Sequence, residues 1–175
     1  MRYLALATDY DGTLASGGRV ARTTLAALDR LRTSGRKLVL VTGRELDDLR
    51  TVFPELDMCD RVVAENGAVL YRPDQKDVQP LAEHPPENLV RLLHERGVPF
   101  SVGRGILATV EPHHTAVLEA IRELGLEMQV IFNKGSVMVL PSGVNKATGL
   151  HCALAELGLV EHNVVAVGDA ENDHA

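Results

Sequence analysis

The sequence predicts an α/β protein, with a parallel sheet built from βαβ units and a second module of α+β character inserted into it. Three observations carry that expectation. Short apolar runs without polar alternation, the pattern of strands buried on both faces, recur along the chain. Between them apolar residues repeat at helical spacing, so strands and helices alternate. Between Pro73 and Pro86 the composition turns to prolines and polar breaks, and beyond it the order becomes helix–strand–strand, twice over.

In chain order, Leu4-Ala-Leu-Ala7 is a buried strand that runs into Thr8-Asp9-Tyr10-Asp11-Gly12-Thr13, where Gly12 lets the backbone turn and come close to a ligand. Ser16-Gly17-Gly18 reads as a flexible linker. Leu25, Leu28 and Leu31, with Ala21 a turn earlier, mark one helix face, and Gly35 stands where the C-terminal cap belongs. The run 37–42 is the second strand. It ends in Thr42-Gly43-Arg44, and a helix carrying Leu46, Leu49, Val52 and Phe53 follows until Pro54 stops it. A third strand covers 61–65, and Asn66-Gly67 turns the chain into the apolar run 68–71. The stretch 73–86 reads as a linker.

In the insertion, a helix with Leu89, Leu92 and Leu93 ends at Gly97 and leads to strands over 99–102 and 106–110, joined at Gly103-Arg104-Gly105. A second helix, with Val117, Leu118, Ile121 and Leu124, leads to strands over 128–132 and 137–140. Two hairpins imply an antiparallel sheet with helices on one face. Pro141-Ser142-Gly143 restores the first pattern. Asn145-Lys146 opens a helix with Leu150, Leu154 and Leu157, a strand covers 163–167, and Gly168 to Asp173 form the loop after it. The expected organisation is a Rossmann-like core over 1–73 and 143–175 with an α+β insertion over 74–142.

Composition removes several classes of function. The 175 residues suffice for one ordinary domain or a core with a small insert. A formal charge of −6 argues against a surface for nucleic-acid backbones, and 3% aromatic residues argue against base stacking. No nucleic-acid partner is expected. Cys59 and Cys152 form neither a metal spacing nor a disulfide framework, which points to a reduced, cytoplasmic setting. The N-terminal apolar run is broken by Asp9 too soon for a leader, and no segment approaches the ~20 apolar residues that span a bilayer. No membrane partner is expected.

Chemistry concentrates where core strands stop. In open parallel sheets, ligands bind beyond the carboxyl ends of strands. The loops at or near those ends carry Asp9 and Asp11, Thr42, Lys146, and Asp169 and Asp173. Each has a bland reading taken singly. Asp11-Gly12 is a turn pair, Thr42 a helix cap, Lys146 a solvated surface charge, and the last two acids a polar turn. Together they supply what phosphoryl transfer to a carboxylate needs: a nucleophilic oxygen, oxygen ligands for a divalent cation, donors around the phosphate and a proton donor for the leaving group. Mg²⁺ takes a few carboxylates plus water and substrate oxygens, which suits this set. His113 and His114 are sequence neighbours that do not share a helix face, so they read as the first turn of a helix rather than as metal ligands.

With these residues in view, the sequence resembles the haloacid dehalogenase (HAD) superfamily of phosphohydrolases over nearly its whole length. Asp9-Tyr-Asp11-Gly12-Thr13 is similar to that family's first motif, Asp-x-Asp-Gly-Thr, and Thr42-Gly43-Arg44 to its second. Lys146 stands as the third. Gly168-Asp169-Ala-Glu-Asn172-Asp173 stands as the fourth, Gly-Asp-x-x-Asn-Asp. Glu65-Asn66-Gly67-Ala68 matches a stretch common in the branch with an α/β (C2-type, Cof-like) cap between the second and third motifs. Ala147 departs from the Gly that often follows the third-motif Lys, with little effect expected.

The resemblance implies a Mg²⁺-dependent phosphatase acting on a small phosphorylated metabolite of the sugar phosphate or phosphoglycolate class, through an aspartyl phosphate. It implies that Asp9 attacks phosphorus and that Asp11 protonates the leaving alcohol and then activates water. Thr42, Gly43 and Lys146 would hold the phosphate, with Asn172 supporting it or the metal loop. Asp9, Asp169, Asp173 and the backbone carbonyl of Asp11 would surround the metal, and the insertion would act as a cap that selects the leaving group. Arg104 is a candidate cap contact to an anionic substrate.

The family's chains continue past the fourth motif with a further strand and helix, whereas this sequence stops at Ala175. The strand 163–167 is therefore expected to present an apolar edge, through which a homo-oligomer could form, and a truncated chain of reduced activity is expected. The alternatives are a phosphomutase of the same superfamily, or an impaired fragment acting only in oligomerisation. A phosphorylated signalling receiver shares the acids, Thr and Lys, but the inserted cap and the Asp-x-Asp-Gly-Thr order speak against it.

Overall fold

The computed structural model describes residues 3–169 and 173. Among these residues, twelve strands and five α-helices follow one another in three groups. The first group comprises β1 (Ala5–Thr8), β2 (Ala15–Ser16), β3 (Arg19–Val20), α1 (Arg22–Thr33), β4 (Lys37–Val41), α2 (Leu46–Val52), β5 (Arg61–Ala64), β6 (Val69–Arg72) and β7 (Asp77–Pro80). The second comprises α3 (Glu87–Glu95), β8 (Ser101–Val102), β9 (Leu107–Val110), α4 (His114–Glu123), β10 (Met128–Asn133) and β11 (Ser136–Pro141). The third is α5 (Lys146–Glu156) and β12 (Val164–Val167).

The main sheet has the order β12-β1-β4-β5-β6-β7, parallel from β12 to β5. Strands β1, β4 and β5 are short apolar runs because both of their faces are covered. Side chains alternate across the pleat. Leu38, Leu40 and Val62 join Leu28 of α1 and Leu46 and Leu49 of α2 on one face. Val39, Val41 and Val63 join Leu150 and Ala153 of α5, and Leu157 just past its end, on the other.

Beyond the parallel core, the β5–β6 and β6–β7 pairings at its end are antiparallel. Two expectations need correction here. The stretch expected as a linker holds β7, whose Val78 lies opposite Tyr71 and packs on the core. Pro80 is tolerated there because β7 is an edge strand with no outer ladder to break. The insertion therefore leaves the main sheet after Pro80 rather than at residue 73. Finally, Ser16-Gly17-Gly18 is no linker but the tip of a hairpin pairing β2 with β3. Gly17 and Gly18 have φ of 59° and 75°, as a two-residue hairpin turn requires.

The second sheet is antiparallel, in the order β10-β11-β9-β8. Its outer face buries Leu107 and Val139 against Leu89 and Leu93 of α3 and Val117 and Ile121 of α4. Its inner face turns Met138, Leu140 and Ala108 towards Ala68 of the main domain. A cleft is left between that inner face and the carboxyl ends of β1 and β4. At the opposite end of the sheet, among the described residues β12 pairs only with β1, and Val165 and Val167 are exposed. No described helix is long and apolar enough to cross a membrane.

Candidate active site

Asp9 is the first residue past β1. Its backbone N–H donates to the carbonyl of Val167 (2.9 Å), so the neighbouring strand fixes where the chain leaves the sheet. The side chain is buried, and its Oδ1 accepts a hydrogen bond from Lys146 Nζ at 2.8 Å. Burial pushes the Asp9 carboxyl above its ordinary range, and the Lys146 ammonium offsets part of that rise.

Lys146 opens α5, and Asn145 caps it. The Asn145 side chain accepts from Thr148 N (2.9 Å), while Thr148 Oγ1 accepts from Asn145 N (3.0 Å). Two glycines let this helix approach the core. A Cβ on Gly67 would sit 1.9 Å from the Asn145 carbonyl oxygen, and one on Gly149 would sit 2.7 Å from the Gly67 Cα. The ammonium also donates to Asp173 Oδ1 at 2.6 Å. Asp173 Oδ2 in turn accepts from the Asp169 N–H at 3.0 Å.

Carboxylate oxygens of Asp9, Asp169 and Asp173 all lie within 4.8 Å of one another. Such a set of hard oxygens fits Mg²⁺. The backbone is shaped around it as well: a Cβ on Gly12 would lie 2.2 Å from Asp169 Oδ2, and one on Gly168 would lie 2.4 Å from Asp173 Cγ.

Thr42 follows β4 and is buried, its hydroxyl accepting from the Arg44 N–H at 3.2 Å. Asp9, Asp11, Thr42, Gly43 and Lys146 line one cleft of about 510 Å³. Asn172 lies outside the described residues. Arg104 does not line the cleft. Its guanidinium pairs with Asp47 of α2 at 3.1 Å, because the β8–β9 turn that carries it seats beside that helix.

Three residues absent from the candidate set stand out. Arg44 holds both oxygens of Asp11, Nε to Oδ2 at 2.6 Å and Nη2 to Oδ1 at 2.8 Å, and reaches Asp48 at 2.5 Å. These carboxylates hold the guanidinium well above its ordinary pKa. A charged residue directly after a strand-ending Thr-Gly was the available sequence signal. Glu65 is fully buried with φ 54°. Its backbone N–H donates to the Arg44 carbonyl (2.9 Å), and its Oε2 accepts from the Gly105 N–H (2.8 Å). It thus ties the cap turn to the loop after β4, and burial pushes its carboxyl up. Lys134, at the tip of β10–β11, donates to Asp169 Oδ2 at 2.8 Å and lies 3.4 Å from the Asp11 carbonyl oxygen. No sequence signal marked it.

Taken together, fold and site define an α/β core whose clustered acids meet the ammonium groups of Lys146 and Lys134 beneath an inserted α+β unit. The family model for haloacid dehalogenase-like hydrolases matches residues 6–113 and 106–175. The chain belongs to that family. Among curated relatives, it is 32% identical to the phosphoglycolate phosphatase of Methanothermobacter thermautotrophicus, covering 97% of this chain and 78% of that protein. It is 30% identical to the phosphoglycolate phosphatase of Aeropyrum pernix, covering 95% and 74% respectively. Among solved structures, a haloacid dehalogenase-like hydrolase from Bacteroides thetaiotaomicron superposes with a TM-score of 0.83 at 18% identity, covering 98% of this chain and 84% of that one.

Proposed function

We propose that this phosphoric monoester hydrolase is Mg²⁺-dependent and cleaves a small phosphorylated metabolite, of the sugar phosphate or phosphoglycolate class, through an aspartyl phosphate on Asp9. The observation that carries the reading is the bridge from Lys146 to both Asp9 and Asp173, which joins three distant stretches of sequence at one point. The two phosphoglycolate phosphatase relatives support the substrate class.

Asp9, Asp169 and Asp173, with the Asp11 carbonyl, would hold Mg²⁺, which when bound neutralises charge on the phosphoryl oxygens. Thr42, Gly43 and Lys146 take the nonbridging oxygens, with Asn172 supporting that loop. An Asp9 oxygen attacks phosphorus as the ester P–O bond breaks, and Asp11 gives its proton to the departing alcohol oxygen. Asp11 then takes a proton from water, whose oxygen attacks phosphorus. Inorganic phosphate leaves and Asp9 is restored. Both Asp11 oxygens are bonded to Arg44 in the resting arrangement, so delivering a proton requires one of those bonds to be released.

The test is release of inorganic phosphate from a panel of sugar phosphates and phosphoglycolate with Mg²⁺, against an Asp9→Asn control. Mg²⁺-dependent release that falls at least ~10³-fold in the control is expected. Release that survives in Asp9→Asn, or no release from any ester, would reject the reading. Return of phosphate to the substrate without release would indicate a mutase.

A further inference from the structure

We propose that Lys134 is the residue that reads the leaving group, and that it selects phosphate esters of small hydroxy acids by binding their carboxylate. The inference rests on the phosphatase reading above.

The cap side of the cleft includes Ile106, Ala108, Val110, Met138 and Lys134. Among the described residues, Lys134 is the only charged side chain that the cap contributes there. Two of the cap hydroxyls in the lining are already engaged. Ser101 donates to Glu45 Oε1 at 2.5 Å and Thr109 to the Pro99 carbonyl at 2.5 Å. A short chain ending in a carboxylate would meet the Lys134 cation, with Ile106, Ala108, Val110 and Met138 beside it. The core-side cations are already engaged: Arg44 by Asp11 and Asp48, and Lys146 by Asp9 and Asp173.

The placement of Lys134 is also costly. Lys134 and Gly135 have φ of 50° and 84°, and they form the two-residue turn between the paired Asn133 and Ser136. Glycine or asparagine suits the first of those positions better than lysine. A side chain held in an unfavoured backbone region at a site suggests use. The turn directs the ammonium down to Asp169 and the Asp11 carbonyl, next to where phosphorus is attacked. Because those oxygens are among the ones proposed above to hold Mg²⁺, a bound cation would take them over and leave the ammonium to a substrate anion in the cleft.

The experiment compares Lys134→Met with wild type on phosphoglycolate and on ethyl phosphate, which shares the two-carbon frame but lacks the carboxylate. Wild type is expected to favour phosphoglycolate, and in Lys134→Met the ratio of kcat/KM values should fall by about 10- to 100-fold. Calorimetry gives a second readout without turnover: in an Asp9→Asn background, Lys134→Met should weaken phosphoglycolate binding and leave ethyl phosphate binding little changed. Equal losses on both esters, or none on either, would overturn the assignment while leaving the phosphatase reading intact. A wild-type enzyme inactive on every ester would reject both.

Discussion

Gly149→Ala tests whether the close approach of α5 is what sets the position of Lys146. A Cβ at residue 149 would lie 2.5 Å from Val63 Cγ1 and 2.7 Å from the Gly67 Cα. The valine can shift, but the Gly67 backbone cannot move alone, because the Asn66 N–H is bonded to the Thr42 carbonyl at 3.0 Å. Ordinary contact begins near 3.4 Å, so the helix must retreat by roughly 0.7 Å. Overpacking of this kind costs about 1–3 kcal/mol, and replacing a helical glycine by alanine returns about 1. The net loss of about 0–2 kcal/mol should lower Tm by a few degrees. The retreat acts one turn from Lys146, whose contacts to Asp9 and Asp173 are 2.8 and 2.6 Å. Misplacement by ~1 Å can cost ~100-fold, and a lysine stem absorbs part of it, so kcat should fall about 10-fold. Steady-state phosphate release and thermal denaturation measure the two effects. A variant with wild-type Tm and kcat would refute the packing argument. Lost stability with unchanged kcat would refute its link to the site.

Arg44→Lys should lower kcat about 10- to 100-fold with a smaller effect on KM, because one ammonium cannot hold both Asp11 oxygens and also reach Asp48; matching kinetics in the two proteins would count against a positioning role. On the proposed Mg²⁺ site, millimolar Mg²⁺ is expected to raise the Tm of wild type and Asp173→Asn to abolish that rise, since it removes one of three clustered carboxylates; an undiminished shift by scanning calorimetry would place the cation elsewhere. Glu156→Gln should destabilise by about 1 kcal/mol at neutral pH, because Glu156 bonds Arg72 and also Arg61 at 2.8 Å, tying α5 to β5 and β6. Arg72 first, then Arg61, holds the Glu156 carboxyl below its ordinary value. Its contribution is therefore complete above the unfolded-chain pKa of about 4.3 and disappears as pH falls through the lower folded value. The difference between the two proteins in denaturation should be smaller at pH 3 than at pH 7.

Much of the architecture was legible because buried parallel strands leave a local trace. The runs at 5–8, 37–41, 61–64 and 164–167 are apolar on both faces, and each ends in a polar turn. The cap hairpins were legible from Gly103-Arg104-Gly105 and from the turn at 133–136. What misled was punctuation. Proline normally ends a strand, yet Pro80 sits on an edge where no partner needs its missing N–H. Gly17-Gly18 resembles a linker until the pairing of Ala15 with Val20 closes it into a hairpin.

The site divides in the same way. The sequence by itself determined which groups stand at strand ends, because the residue after a buried run has nowhere to go but the sheet's carboxyl edge. Asp9, Thr42 and Asp169 follow from that rule. Only the tertiary structure decided how the side chains are shared: Lys146 between Asp9 and Asp173, Asp11 with Arg44, Arg104 with Asp47 rather than the cleft, and Lys134 brought down from the cap to Asp169. Hydrophobic period depends on neighbours a few residues apart and is written locally. A charge pair depends on the packing of whole elements, between residues as far apart as Asp9 and Lys146, and no local pattern encodes it.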